Sequence, residues 1–365
     1  MHIDLLAELE LFCPWCRSQK LDGNAASAET ALVELEQVLT EEHGEILEGI
    51  LRCSGSECRR TYPVFDGIPI LMADTAEYLR NAQLAAVEGD VHPTLQNVLA
   101  RTGSKEIRAL VDFRSTYLEA HYADRIDPPS GGEWGSRDLF AALRRSGQKR
   151  AAIAIELGCS TGRGLHELAQ NADLVIGIDS DLSALRRARR ILAGKPVRFA
   201  RRSIGRNYEA ATVLPYKTPV RVALICADAL HVPLASNVAD RVVALNLIDQ
   251  VSSPSKALAS MDRLCKGGGQ LIVASPYFWE SNDPADSLDV ADPAVRLRVT
   301  LSAGMFLSGR YRIDEEMEIP WSLRITRRST NSYEVHFLSA TKLGGKTLGK
   351  KTTKPKKRSG TKRKR

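Results

Sequence analysis

The stretch that most constrains this chain runs from Ala151 to Leu168. Ala151, Ala152, Ile153 and Ala154, small or apolar and continuing into Ile155, read as a buried parallel strand. The turn Glu156-Leu157-Gly158-Cys159-Ser160-Thr161-Gly162-Arg163-Gly164 follows, and an amphipathic run through Leu165 and Leu168 comes after it. The glycines therefore stand where a strand becomes a helix. Without a Cβ at Gly158 and Gly162 the backbone can approach a ligand closely, and the free amides of the helix start favour an anionic group there. A second apolar run, Leu174 to Ile178, ends in Asp179, a carboxylate placed at a strand tip to accept hydrogen bonds from a ribose.

Spacing separates the two cofactor classes that use such a turn. A dinucleotide fingerprint wants glycine at the first, third and sixth places, whereas glycines here stand at 158, 162 and 164. Glu156, Gly158, Ser160 and Gly162 instead resemble the first motif of class I S-adenosylmethionine-dependent methyltransferases, with Ser160 in place of the middle glycine. A tight structural turn in some other α/β domain is the alternative. The resemblance implies a seven-stranded Rossmann-like α/β sheet with S-adenosylmethionine on this loop and on Asp179.

A second constraint lies near the N-terminus. Cys13-Pro14-Trp15-Cys16 and Cys53-Ser54-Gly55-Ser56-Glu57-Cys58 form two knuckles separated by 36 residues. Each short loop presents two sulfurs, and Zn²⁺ takes four thiolates tetrahedrally, so Cys13, Cys16, Cys53 and Cys58 are the candidate ligands, with unliganded cysteines as the alternative. Four protein sulfurs leave no place for a catalytic water. The zinc is expected to be structural, its binding energy doubling as folding energy. Between the knuckles Ala31, Leu32, Leu35 and Val38 fall at helical spacing and predict a helix over 28–39. Beyond them Tyr62 to Leu71, with Asp66-Gly67 between apolar pairs, predicts a β-hairpin. Through the Cys-Pro-x-Cys at 13–16, the Cys53/Cys58 pair and Tyr62-Pro63-Val64-Phe65-Asp66-Gly67-Ile68-Pro69, residues 5–75 resemble the small zinc-ribbon subunit that activates tRNA, rRNA and release-factor methyltransferases. That ribbon is usually a separate chain which stabilises its catalytic partner; here the resemblance implies a fusion.

Later elements follow in order. A helix predicted from Asp181 to Leu192 buries Leu182, Leu185, Ala188 and Leu192 and turns Arg186, Arg187, Arg189 and Arg190 mostly outward. With Arg198, Arg201, Arg202 and Arg206 these form either a solvated face or a basic patch for nucleic acid. The third strand, Val220 to Cys226, leads into Ala227-Asp228-Ala229, where the resembling family places an acid on the adenine amine; Asp228, beside Ala229, is the implied contact. The fourth, Arg241 to Leu245, delivers Asn246 and Asp249 to the edge where open sheets bind ligands, helix capping being the alternative for Asp249. The fifth, Gln270 to Ser275, ends in Pro276-Tyr277-Phe278-Trp279, and Tyr311 to Ile319 with Tyr333 to Thr341 supply a closing antiparallel pair. Asn246-Leu247-Ile248-Asp249 with Ser275-Pro276-Tyr277-x-Trp279 also resembles the methyltransferase module of the ovothiol pathway, which methylates a mercaptohistidine ring. Methyl transfer demands chiefly a nucleophile held in near-attack geometry, and Asp249 and Tyr277 are the candidate proton acceptors.

Charge is unevenly held. The chain has 51 Lys or Arg against 44 Asp or Glu, but 12 of the basic residues and no acid lie in 341–365, so the rest is net acidic, 39 against 44. A lysine-rich stretch over 342–365 cannot form a core and is expected to be disordered, either merely solvated or engaging the phosphates of RNA or the ribosome. No stretch approaches the ~20 apolar residues of a membrane span. Met1 to Leu11 lacks the basic residues of a secretory signal, and the seven cysteines are odd in number, so a reducing cytoplasm without disulfides is expected. The expected organisation is a zinc ribbon over 1–75, a helical linker or cap over 76–150, a methyltransferase domain over 151–341 and a tail over 342–365. The cap is read as helices at Leu95 to Leu99 and Ile107 to Tyr122, a loop at Pro128 to Gly132, and Tyr117, His121, Tyr122 and Trp134 as candidate lid or core residues. The expected activity is S-adenosylmethionine-dependent methylation of a nitrogen or oxygen on a small molecule or RNA. Its rival is a non-catalytic scaffold that keeps the cofactor fold and binds nucleic acid or a protein partner through the tail.

Overall fold

The computed structural model describes residues 1–21, 31–75, 77–78, 105–129, 137–214, 218, 220–279 and 291–344. Helices α1 (Ile3–Glu8) and α2 (Pro14–Leu21) precede four antiparallel strands, β1 (Val33–Glu42), β2 (Glu45–Cys53), β3 (Thr61–Phe65) and β4 (Ile68–Leu71). Helix α3 (Lys105–His121), strand β5 (Ile126–Asp127) and helix α4 (Arg137–Ser146) lead into β6 (Ala151–Leu157), α5 (Arg163–Leu168), β7 (Ala172–Asp179) and α6 (Leu182–Leu192). A hairpin of β8 (Val197–Ile204) and β9 (Asn207–Val213) comes next, then β10 (Arg221–Ala227), β11 (Ala239–Leu245), α7 (Pro254–Leu264), β12 (Cys265–Ser275) and α8 (Pro293–Ala303). The long hairpin β13 (Tyr311–Thr326) and β14 (Ser329–Lys342) closes the fold.

Among the described residues eleven strands join in one mixed sheet, ordered β1-β2-β3-β4-β10-β7-β6-β11-β12-β14-β13. Its last seven members are the expected α/β Rossmann-like sheet, parallel from β10 to β12 and closed by the antiparallel pair. Burial on both faces is why the parallel strands read as continuous apolar runs. Ile155, Ile176, Ile225, Val242 and Leu271 pack with α7 and α8, while Ala154, Val175, Leu224, Val243 and Ile272 pack with α4, α5 and α6. A separate three-stranded sheet, β5-β9-β8, packs against α3 and has no counterpart in the sequence reading.

The N-terminal unit does not stand apart from this sheet. Strand β4 pairs in parallel with β10, Ile70 against Cys226 and Leu71 against Ala227, so the N-terminal unit extends the catalytic sheet. The predicted hairpin is present, with Asp66 and Gly67 both left-handed at its turn. The helix predicted over 28–39 is overturned: from Val33 onward that segment is β1, paired with β2. Four apolar residues within two helical turns suit either period when a strand carries bulges, and the register of β1 shifts between Leu35 and Gln37 and again between Val38 and Thr40.

The outward arginines are also corrected. Arg186 and Arg189 reach Asp66 of the hairpin turn at 3.3 and 2.9 Å, and Arg189 reaches Glu45 at 2.7 Å. Arg187 is buried, Arg201 is buried with Glu119 and Glu209, and Arg202 pairs with Asp112. Much of the basic patch is thus matched by acids inside the fold. At the other end β14 runs one residue into the expected tail: buried Lys342 donates to the carbonyls of Asp262 and Cys265 at 2.6 and 3.1 Å. Helix 95–99, Trp134, positions 130–132 of the predicted loop and 345–365 of the tail lie outside the described residues. Among the described residues no helix is long and apolar enough to cross a membrane.

Candidate active site

The C-terminal ends of β6, β7, β10 and β11 open on a cavity of about 290 Å³. Gly158, left-handed at φ 72°, donates its amide to the Ile178 carbonyl at 2.7 Å and so pins the loop to β7. Ser160 is also left-handed, at φ 46°, a conformation that costs a residue with a Cβ. Its amide donates to Asp179 Oδ2 at 2.8 Å, while Asp179 Oδ1 accepts from the Asp181 amide at 2.8 Å. One carboxylate therefore ties the glycine loop to the start of α6. Burial pushes the Asp179 carboxyl up to about 6 even though these amides pull it back. Gly162 does not line the cavity. A Cβ there would stand 2.9 Å from Ala188 Cβ, so its bareness lets α6 pack against the loop.

Glu156 corrects one expectation. A Cβ on Gly164 would run into Glu156 Oε1, and the Leu165 amide donates to the same carboxyl group. The group held at the helix start is thus the protein's own carboxyl. Burial, with Asp179 nearby, pushes this carboxyl well above its usual range, and its Oε2 is buried with no partner.

Asp228, Ala229 and Asn246 line the same cavity. Asp228 caps the turn Ala229–His231, accepting from the Leu230 amide at 2.8 Å. Burial pushes its carboxyl up, but His231 and that amide outweigh burial and hold it below its ordinary value. Asn246 is left-handed at φ 51°, and its Oδ1 is buried without a partner. The far wall comes from Tyr117 and His121 of α3, Phe140 of α4 and Trp321 of β13. His121 meets Thr161 Oγ1 at 3.1 Å; burial and then Arg163 lower it to about 4, leaving the ring neutral at pH 7. Tyr122 lies behind the wall, buried, donating to the Thr161 carbonyl at 2.7 Å.

Besides Gly162, two expected residues are not brought to the cavity. Asp249 is buried and accepts from Ser275 Oγ at 2.8 Å, and Tyr277 points its phenol at His336, 2.7 Å away. Sequence reasoning missed Cys159, Asp181, Gln250 and Trp321, all of which line the cavity. Asp181 had a legible signal as an acid before an apolar helix, and it does cap α6, bonding the Ser183 and Ala184 amides. Trp321 had none, because its place depends on how the final hairpin folds back. Burial, then Asp179 and Glu156, push the Cys159 thiol well up.

Four carboxylates line this cavity, Glu156, Asp179, Asp181 and Asp228, and no Lys or Arg does so among the described residues. Such a lining repels a pyrophosphate and favours a ligand that is cationic and rich in donors. Residues 155–273 match a family model described as a methyltransferase domain. The chain carries a class I S-adenosylmethionine-dependent methyltransferase domain. Solved structures with similar folds include the [4+2]-cyclase SpnF, at 15% identity and TM-score 0.43, covering 65% of this chain and 96% of that one. Another is the N-methyltransferase NodS from Bradyrhizobium japonicum with S-adenosyl-L-homocysteine, at 13% and 0.37, covering 62% and 98%. A third is a methyltransferase from Methanosarcina mazei, at 18% and 0.38, covering 54% and 95%. No curated protein matches the chain.

In the N-terminal unit, the sulfurs of Cys13, Cys16, Cys53 and Cys58 all lie within 4.8 Å of one another. Cys13 to Cys58 and Cys16 to Cys53 are each 3.8 Å. A tetrahedron of sulfurs at ~2.3 Å from Zn²⁺ has edges of about 3.8 Å. Tyr62 Oη shares a hydrogen bond with Cys13 Sγ at 3.0 Å, and the Gly55 amide donates to Cys53 Sγ at 3.3 Å, contacts that would orient the ligands.

Gly164→Ala drives a methyl group into the Glu156 carboxyl and is expected to weaken S-adenosylhomocysteine binding at least about tenfold, read by calorimetry. Unchanged affinity would mean that the Glu156 position does not matter to the cofactor.

Proposed function

We propose that the enzyme methylates a nitrogen or oxygen of a small-molecule or RNA acceptor, with Glu156, Gly158, Ser160, Asp179, Asp228, Ala229 and Asn246 holding S-adenosylmethionine. What carries the reading is the pair of buried, unpartnered oxygens, Glu156 Oε2 and Asn246 Oδ1, beside a cavity lined by acids alone among charged residues. Bound, the cofactor supplies a methyl group already activated on a sulfonium. Asp179 accepts from ribose hydroxyls, Asp228 with Ala229 takes the adenine edge, and Glu156 and Asn246 offer acceptors to the cationic end. Gly162 serves the loop through its packing on α6. Tyr117, His121 and Phe140 shield the site from water, and a neutral His121 adds no charge that would oppose a sulfonium.

Ionised Asp179 is the form that accepts from hydroxyls, so affinity for S-adenosylhomocysteine should fall as pH drops through about 6. Mass action gives about a fourfold loss between pH 7.5 and 5.5. Without ligand the sign reverses: a carboxyl raised in the folded state contributes stability that grows as pH falls from its folded value toward its ordinary one. Asp179→Ala should weaken calorimetric binding by at least about tenfold at pH 7.5 and remove the pH step. Wild-type protein with no measurable binding would defeat the cofactor reading.

We also read the four cysteines as a structural Zn²⁺ site in a ribbon fused to its catalytic partner. The support is the sulfur spacing together with the β4–β10 pairing, which makes the ribbon's stability the sheet's stability. Elemental analysis should give one zinc per chain, and Cys16→Ser should lose it and lower the thermal midpoint of the whole protein. Metal-free protein with an unchanged midpoint is the contrary result.

For the acceptor, labelled methyl should pass from the cofactor into the RNA or metabolite fraction of a cell extract. If RNA is labelled, deleting 345–365, which spares Lys342, should abolish RNA retention through the basic tail. Label confined to protein would overturn this acceptor class.

A further inference from the structure

Tyr277 stands two residues past the end of β12 at φ 54°, left-handed backbone that an aromatic residue holds only where its surroundings impose it. They do so here. Its amide donates to Ser275 Oγ at 3.0 Å, and that hydroxyl donates to Asp249 Oδ1 at 2.8 Å. Asp249 Oδ2 accepts in turn from Gln250 at 3.2 Å, and Gln250 lines the cavity. The buried Asp249, which the cavity does not reach, thus fixes the bend that aims Tyr277.

The phenol meets His336 Nδ1 at 2.7 Å, and His336 Nε2 lies 2.9 Å from Glu316 Oε1. A carboxylate only accepts, so Nε2 carries the proton, Nδ1 is an acceptor, and Tyr277 donates to it. Arg298 grips both oxygens of Glu316 at 2.6 to 3.1 Å and is the main reason that its carboxyl sits below the usual range. Burial, then Glu318, Glu316, Asp249 and Asp292, push the Tyr277 phenol well up. It is therefore no standing phenolate and can take a proton only by passing its own to the histidine. In the sheet β12 lies between β11 and the β14–β13 pair, and both Asn246 beyond β11 and Trp321 of β13 line the cavity. The tip carrying Tyr277 therefore stands between two strands that contribute to the cavity, while Tyr277 itself lies outside the lining.

We propose that Tyr277, His336 and Glu316 form a proton relay for the methyl acceptor, with Asp249 and Ser275 as positioning residues; this rests on the methyl-transfer reading above. As the acceptor's heteroatom forms its bond to the methyl carbon, the carbon–sulfur bond breaks and sulfur keeps the pair. The acceptor's proton moves to Tyr277 Oη, and the phenolic proton moves to His336 Nδ1. The resulting imidazolium is neutralised by Glu316, and it returns its proton to solvent after product leaves.

Two measurements on the full chain test this. Nitrogen-15 NMR of the seven histidines, with His336 assigned by His336→Gln, should show His336 protonated at Nε2 and its Nδ1 resonance shifted in Tyr277→Phe. In the extract fraction that accepts labelled methyl, Tyr277→Phe should lower turnover about 100-fold with S-adenosylhomocysteine affinity unchanged. Glu316→Gln should lower turnover with S-adenosylhomocysteine affinity unchanged, because the transient imidazolium loses its counter-charge. Full turnover in Tyr277→Phe or in Glu316→Gln would reduce the trio to a structural tie. Wild-type protein that binds no S-adenosylhomocysteine sinks the methyltransferase reading and the relay together, whereas cofactor binding with full Tyr277→Phe turnover sinks the relay alone.

Discussion

The site depends on a single carboxylate. Asp179 takes the Ser160 amide on one oxygen and the Asp181 amide on the other, so the glycine loop after β6 and the helix start after β7 are held by one side chain. The parallel pairing of Leu157 with Ile178 brings the two strand tips level, and the Gly158 amide bonded to Ile178 turns the loop back across them. Holding these amides also keeps Asp179 ionisable near neutral pH, since they oppose the desolvation that would otherwise protonate it. The same group that builds the loop is thereby left able to accept from a ligand.

Around that centre the acids are separated by what each already bonds. Asp181 is used up as a helix cap and a partner of Arg114, and Asp228 as a cap over its own turn. Glu156 and Asn246 retain buried oxygens with nothing to accept. Unpartnered buried oxygens are costly in an empty fold. Elements well outside the glycine-rich region complete the enclosure: α3 and α4 from before it and the closing hairpin from after it.

The N-terminal unit is bound to the rest by backbone as well as side chains. Beyond the β4–β10 ladder, Arg17 of α2 and Arg263 of α7 both donate to the carbonyls of Val232 and Leu234, and α6 clamps Asp66 and Glu45 with Arg186 and Arg189. These contacts explain why arginines that look outward on a helical wheel are not a free basic face. An outward position on one helix becomes an interface once a second unit docks there.

Local pattern settled the strand–loop–helix at 151–168, the Asp66-Gly67 hairpin, the α6 span and the two cysteine knuckles, because each rests on residues adjacent in the chain. The segment at 33–42 failed for the same reason: its apolar spacing suits two periods, and only pairing with β2 chooses between them. The reach of Asp249 and Tyr277 was equally hidden, since a strand tip can turn toward the cavity or toward the neighbouring hairpin. The sequence by itself determined the chemistry available, an acid-rich glycine loop and four thiols. Tertiary structure alone decided that Trp321 walls the cavity, that His336 backs Tyr277 and that the N-terminal strands continue the sheet. Those contacts join residues tens to hundreds of positions apart, and no local periodicity encodes which distant strand a chain will lie beside.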